Sequence, residues 1–258
     1  RFSKSAVVHA RASYAADFRL RDKIVAVSDF DAEEIRRYYP RHANKVVRVY
    51  NPILFPAQEL AGEAPPHPRP YLLSVNFRYP HKNTITLLRA LDLLGDRIPH
   101  DLLLVGKLHP SSQPLVDFVR ERGLSHRVSF TGFVEETHLH QLISGAALYV
   151  NTSLYEGFGM APVEAMGMGT AVLSTKDAAV HEATRGLAEY YEPAQDPEAL
   201  ASRLLQVLAN PPGAAQRRRI RDVVRESYDY RVIAAEYWKL FASLAAPLCE
   251  RQRGAAPA

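Results

Sequence analysis

From Tyr71 onward, short runs of apolar and β-branched residues alternate with stretches whose apolar positions recur at helical spacing. That alternation is the sequence form of a parallel sheet covered by helices. Strands are predicted over residues 71–75, 101–105, 128–131, 147–151, 170–174 and 188–191, with helices over 84–94, 114–121, 136–144, 160–166 and 179–183. Asn83 stands where a side-chain cap for the first of these helices is expected. After the last strand the pattern turns wholly helical: 198–209, entered through Asp196 as cap and Pro197 in the first turn, then 214–227 and 230–244. Upstream, a helix over 1–19, a strand over 23–27, a helix over 31–39 and a strand over 45–50 form a short βαβ unit.

The fold class that follows is α/β: a doubly wound, Rossmann-like parallel sheet plus a partial second Rossmann-like domain. The boundaries are a remnant of one domain at 1–60, a proline-rich linker at 61–70, the main domain at 71–228, a closing helix at 229–248 and a disordered tail at 249–258. Sixty residues fall short of the roughly 100 to 150 typical of a domain. Most of the N-terminal domain is therefore expected to lie outside this chain.

Composition narrows the function classes. The single cysteine, Cys249, forms no internal disulfide, and no apolar run reaches the roughly 20 residues that cross a bilayer. A cytoplasmic location is expected, with peripheral contact at the inner face of an anionic membrane as an option for the arginine clusters. A net charge of +4 favours anionic partners. Nucleic acid is not among those expected, because the arginines are not interleaved with aromatic platforms. A dinucleotide-dependent oxidoreductase is disfavoured, since no Gly-x-Gly-x-x-Gly follows a first strand.

One segment concentrates the chemistry. Residues 156–164 read EGFGMAPVE directly after a buried-strand pattern and open a helix. Gly157 and Gly159 allow a tight backbone approach, and a helix N-terminus offers free N–H groups and the positive end of a dipole. Glu156 precedes the turn and can face the crevice. Glu164 lies in the first turns of the helix, where a carboxylate can accept two ribose hydroxyls. A second segment, SVNFRYPHKN, places Lys82 on a loop at the same sheet edge, where a lysine can meet the charge of a leaving nucleoside diphosphate.

The stretch EGFGMAPVEAMGMGTAV resembles the Glu-x7-Glu signature of family 4 retaining glycosyltransferases of the two-Rossmann (GT-B) kind, and the HKN segment resembles that family's mannosyltransferase-like branch. His81 occupies a position where that branch has arginine, and Arg78 is the candidate substitute. The resemblance implies Glu156 beside the transferred hexose and Lys82 on the diphosphate, as the catalytic pair. It implies Glu164 on the ribose, the backbone of Gly157, Phe158, Gly159 and Met160 around the sugar, and the turn at Phe133 and Val134 against the base. The implied reaction is retaining transfer of a hexose, mannose favoured, from a donor such as GDP-mannose to a glycan or lipid-linked acceptor. No metal and no cofactor is expected. The alternatives are a non-catalytic donor-binding or partner-binding module of a split or degenerate enzyme, and a sugar-nucleotide epimerase.

Overall fold

In the computed structural model the described residues are 4–56 and 67–253, and they divide into two compact units. One comprises Arg1–Pro52 with Tyr228–Ala258, the other Ile53–Ser227.

The first unit opens with α1 (Lys4–Leu20), β1 (Ile24–Ala26), α2 (Asp29–Tyr38) and β2 (Val46–Arg48). Ser28 caps α2, its hydroxyl accepting from the Asp31 N–H at 2.9 Å, and Asp29 and Asp31 in the first turn oppose Arg36 and Arg37 in the last. Both placements suit the helix dipole. β1 and β2 pair in parallel from Ile24 against Val46 to Ala26 against Arg48, around a small core of Ile24, Ala26, Ala32 and Val46. The strand expected over 45–50 is shorter, because residues 40–45 wind into a 3-10 turn instead. Lys45, at its end, donates to the carbonyls of Phe18, Arg19 and Arg21, which neutralises the C-terminal end of α1.

The second unit carries a six-stranded, all-parallel sheet. Its strands are β3 (Tyr71–Val75), β4 (Asp101–Val105), β5 (Val128–Gly132), β6 (Leu148–Asn151), β7 (Val172–Thr175) and β8 (Glu189–Tyr191), in the order β5-β4-β3-β6-β7-β8. This is the doubly wound order, with its switch point between β3 and β6. The connecting helices are α3 (Thr84–Leu94), α4 (Gln113–Glu121), α5 (Glu136–Gly145), α6 (Met160–Gly167), α7 (Ala178–Ala183), α8 (Pro197–Ala209) and α9 (Ala214–Tyr228). β3 and β4 are buried almost throughout, as a parallel sheet covered on both faces requires. Leu72, Leu102, Leu104, Leu148, Val150 and Leu173 meet Leu87, Leu91, Leu200 and Leu204 of the helices in one continuous core.

Two expectations need correcting here. Asn83 stands at the N-terminus of α3 but does not cap it: it adopts a left-handed conformation (φ 52°), which turns its side chain to the Ala194 carbonyl and to the Thr86 hydroxyl. The tail at 249–258 is helical as far as Arg253, where α10 (Tyr230–Arg253) ends after continuing past Pro247; residues 254–258 lie outside the described residues. The linker assigned to 61–70 also falls outside them up to residue 66. α10 belongs to the first unit, where Arg48 pairs with its Glu236 at 3.6 Å. Of its apolar residues Ile233 is buried, whereas Trp238 is 74% exposed.

Candidate active site

The candidate site occupies the C-terminal edge of the six-stranded sheet at the switch point, where ligands of open α/β folds bind. Two loops meet there, one leaving β3 and one leaving β6. The Leu154 N–H donates to the His81 carbonyl and the Thr152 hydroxyl to that of Lys82, both at 2.7 Å. The loop after β3 needs unusual backbone to reach this position. Asn76 (φ 60°) and Asn83 (φ 52°) are both left-handed, a conformation asparagine tolerates better than most residues.

These loops bring Lys82 and Glu156 together. Nζ of Lys82 lies 2.5 Å from Oε1 of Glu156, with the two side chains only 19% and 16% exposed. A largely dehydrated pair of this kind gives up hydration that its mutual attraction must offset. The same Oε1 also accepts from the hydroxyl of Ser153 at 2.7 Å. The backbone N–H of Glu156 donates to Asp177, whose carboxylate in addition caps α7 through Ala179 and Val180. Burial raises the Asp177 carboxyl above its ordinary range, partly countered by these backbone donors.

The glycine turn then sets the start of α6. Gly159 sits at its N-terminus with φ 96°, a left-handed backbone that favours glycine, and a Cβ there would approach Val180 Cγ2 to 3.1 Å, so that side chain would have to give way slightly. The Phe158 side chain is buried in the core, leaving only its backbone for a ligand, while Met160 is exposed. The first amides of α6 lack acceptors within the helix, as at any helix N-terminus. One turn along, the half-buried Glu164 carboxylate has neither hydrogen bond nor ion pair among the described residues. Burial, and secondarily the charge of Glu136, push its carboxyl above the usual range.

A neighbouring cleft of about 300 Å³ opens at the ends of β3, β4 and β5, lined by Asn76, Phe77, Arg78, Gly106, Lys107 and Phe133. Arg78 does not join Lys82: it lies over the Tyr79 ring at 4.7 Å and donates to that residue's hydroxyl. Phe133 is 64% exposed with Lys107 over its face at 5.1 Å, whereas Val134 is half-buried and outside the lining. The cleft thus offers flat apolar surface beside two cations, a combination suited to a nucleotide base and its phosphates.

Sequence reasoning missed three residues here. Lys107 is signalled by its position just past the C-terminal end of a buried strand. Ser153 and Asp177 carry the weaker signal of polar residues where an apolar run stops at the same edge. Among the described residues there is no group of three or more His, Cys, Asp or Glu side chains placed to hold a metal ion, and no helix long and apolar enough to cross a membrane.

Comparison with known proteins gives this geometry a context. The profile described as "Glycosyl transferases group 1" matches residues 58–226. The chain is 28% identical over 173 residues to the serotype-specific mannosyltransferase WbdA of Escherichia coli, an alignment covering 62% of this chain and 21% of that protein. Among solved structures, a sucrose-phosphate synthase from Thermosynechococcus elongatus superposes with a TM-score of 0.81 at 24% identity, over 96% of this chain and 65% of that one. Anabaena HepE in complex with UDP and glucose gives a TM-score of 0.73 at 19% identity, over 94% and 68%. The chain therefore spans about a fifth of WbdA and just under two thirds of the sucrose-phosphate synthase.

Proposed function

The chain belongs to the group 1 glycosyl transferases, with the GT-B type of fold, and on that premise we propose that its switch-point crevice binds a nucleoside-diphosphate hexose. In the whole protein that hexose, mannose favoured, passes to a glycan or lipid-linked acceptor hydroxyl with retention at the anomeric carbon. The observation that carries this reading is the placement of Lys82, Glu156 and Glu164 around the N-terminus of α6: a cation, a held carboxylate and an unpartnered one, at one sheet edge.

Each group then has a task. Lys82, with the N-terminal amides of α6, meets negative charge as the nucleoside diphosphate leaves. Glu156 faces positive charge developing at the sugar. Glu164 accepts the two ribose hydroxyls, which would supply the partners its carboxylate lacks. The base lies in the cleft against Phe133, with Arg78 and Lys107 at hand for its phosphates. These cations provide the charge compensation, so the proposal invokes no metal and no cofactor. The mannosyltransferase relative favours mannose over other hexoses. The reaction is placed in the cytoplasm, with the exposed Arg217, Arg218 and Arg219 of α9 available to an anionic membrane surface.

Calorimetric titration of GDP, UDP and GDP-mannose into the wild type, Glu164→Ala and Lys82→Ala tests the donor site. One nucleotide should bind, and each substitution should weaken it about 10- to 100-fold, the worth of hydrogen bonds to charged groups. No binding of any nucleotide to the wild type would rule out a donor site in this crevice.

A further inference from the structure

The end of β6 and the loop that follows carry more buried polar groups than holding a turn requires. Asn151, Thr152 and Ser153 are buried, as are Ser174 and Thr175 at the end of the neighbouring β7. Their hydrogen bonds form one network. The Asn151 amide donates to the Ser174 hydroxyl at 3.0 Å, and the Thr175 hydroxyl donates to the Ser153 carbonyl at 2.7 Å. The Ser153 hydroxyl, wholly out of solvent, has two acceptors within reach: Asn151 Oδ1 at 2.9 Å and Glu156 Oε1 at 2.7 Å.

A serine hydroxyl carries one proton, so it serves one of these acceptors at a time. An ionised carboxylate is the stronger of the two, since charge-assisted hydrogen bonds are roughly twice as strong as neutral ones. Glu156 Oε1 is thereby held by two side-chain donors, Ser153 from beneath its own loop and Lys82 from the loop after β3. Lys82 is also the cation proposed to meet the diphosphate. When it turns to that task its hold on Glu156 weakens, and Ser153 is the other side-chain donor to that carboxylate among the described residues.

We infer that Ser153 is a positioning residue for the transfer reaction: it anchors Glu156 through Oε1 while Lys82 engages the departing diphosphate. The inference rests on the donor-site reading above. Oε2 of Glu156, which accepts from no described residue, is then the oxygen left for the sugar. Asn151, oriented by Ser174, is the acceptor to which the Ser153 proton can return.

The test uses the whole protein, with turnover followed as nucleoside diphosphate released from GDP-mannose, UDP-glucose or UDP-N-acetylglucosamine and a membrane lipid extract as acceptor. Ser153→Ala removes the hydroxyl, Ser153→Cys keeps the volume with a weak donor, and Ser153→Thr keeps the hydroxyl. Expected for Ser153→Ala is a fall in kcat on the order of 10- to 100-fold, the worth of a hydrogen bond to a charged group. Donor KM and nucleoside diphosphate Kd should stay within about twofold of the wild type, because the ribose and phosphate contacts are untouched. Ser153→Thr should recover most of the rate, and Ser153→Cys should not. Should Ser153→Ala fail to fold, the Cys and Thr pair gives the answer by itself. Wild-type kcat in Ser153→Ala or Ser153→Cys overturns the inference, as does a parallel loss of nucleotide affinity and rate, which would make Ser153 merely structural. A wild type that releases no nucleoside diphosphate from any of the three donors overturns the transfer reading and this inference together, whereas an active wild type with an indifferent Ser153 overturns only the latter.

Discussion

The carboxylate of Glu164 is half-buried without a donor among the described residues, so its ionised form is unfavourable in the ligand-free chain. An acid whose folded value lies above its unfolded one binds its proton more tightly when folded. Stability is therefore lost as pH rises from the ordinary carboxyl value of 4.5 through the raised folded value. Glu164→Gln should accordingly show a higher Tm than the wild type at pH 7 without nucleotide, with the gap closing as the pH is lowered toward 4.5. The same substitution should weaken nucleoside diphosphate binding about tenfold, through loss of the charged acceptor. Calorimetry across a pH series measures both effects, and a lower Tm at pH 7 would show that Glu164 has a stabilising partner in the free chain. Glu164 was legible in the sequence because its setting is local: a glycine turn, a helix start and an acid one turn further on. Lys82 was legible only as a cation at the right sheet edge, because its contact with Glu156 joins residues 74 positions apart. Ser153 and Lys107 escaped notice for the same reason, since their value lies in groups that only the fold brings near.

At the scale of elements, α6 is bounded at both ends by close approaches, tight at its start and without room for a side chain at its end. Its start depends on Gly159 beside Val180, and its end on Gly167, where an added Cβ would fall 2.0 Å from Phe55 Cε1. Phe55 is itself buried, with the Arg225 guanidinium over its ring at 5.3 Å, and Arg225 Nε donates to the Gly167 carbonyl at 2.7 Å. Gly167→Ala must displace this ring and disturb the arginine bond, so it should cost about 1–3 kcal/mol although alanine is the better helix former. Chemical denaturation with an unchanged m-value should register that loss; an unchanged midpoint would mean that Phe55 moves aside freely. The elements themselves were mostly readable, because buried parallel strands and amphipathic helices announce themselves by period. What periodicity could not supply was the 3-10 winding of residues 40–45 and the left-handed turn at Asn83, set by backbone geometry and by partners distant in sequence, nor did it carry α10 past Pro247.

Across the whole six-stranded unit, buried polar groups gather at opposite edges of the sheet and do different work. The C-terminal edge holds Lys82, Glu156 and Glu164, of which Glu164 is left without a partner. The N-terminal edge holds Arg127, buried at the start of β5, whose guanidinium donates to the carbonyls of Gly95, Ile98 and His100 at 2.5, 3.1 and 2.6 Å. Burial lowers the Arg127 pKa from its ordinary value, with Asp101 working in the other direction. Asp101 is met there by His67 at 2.8 Å and Arg69 at 3.2 Å, which ties the strand entering the sheet to its neighbour. These bonds join the loops that feed β3, β4 and β5, so they stabilise the sheet without approaching the crevice. Arg127→Met keeps the length and apolar stem of the side chain but leaves three carbonyls without their donor, a loss of about 3 kcal/mol or more. Its urea midpoint should drop accordingly while nucleoside diphosphate affinity remains at the wild-type value. Glu164→Gln should give the reverse, with binding weakened and the midpoint at pH 7 not lowered, because that carboxylate has no hydrogen-bond or ion-pair partner to lose among the described residues. A pair of variants that lost stability and affinity together would show that the two edges are energetically one site. The reciprocal pattern would show that the sheet keeps its stability at one edge and its chemistry at the other.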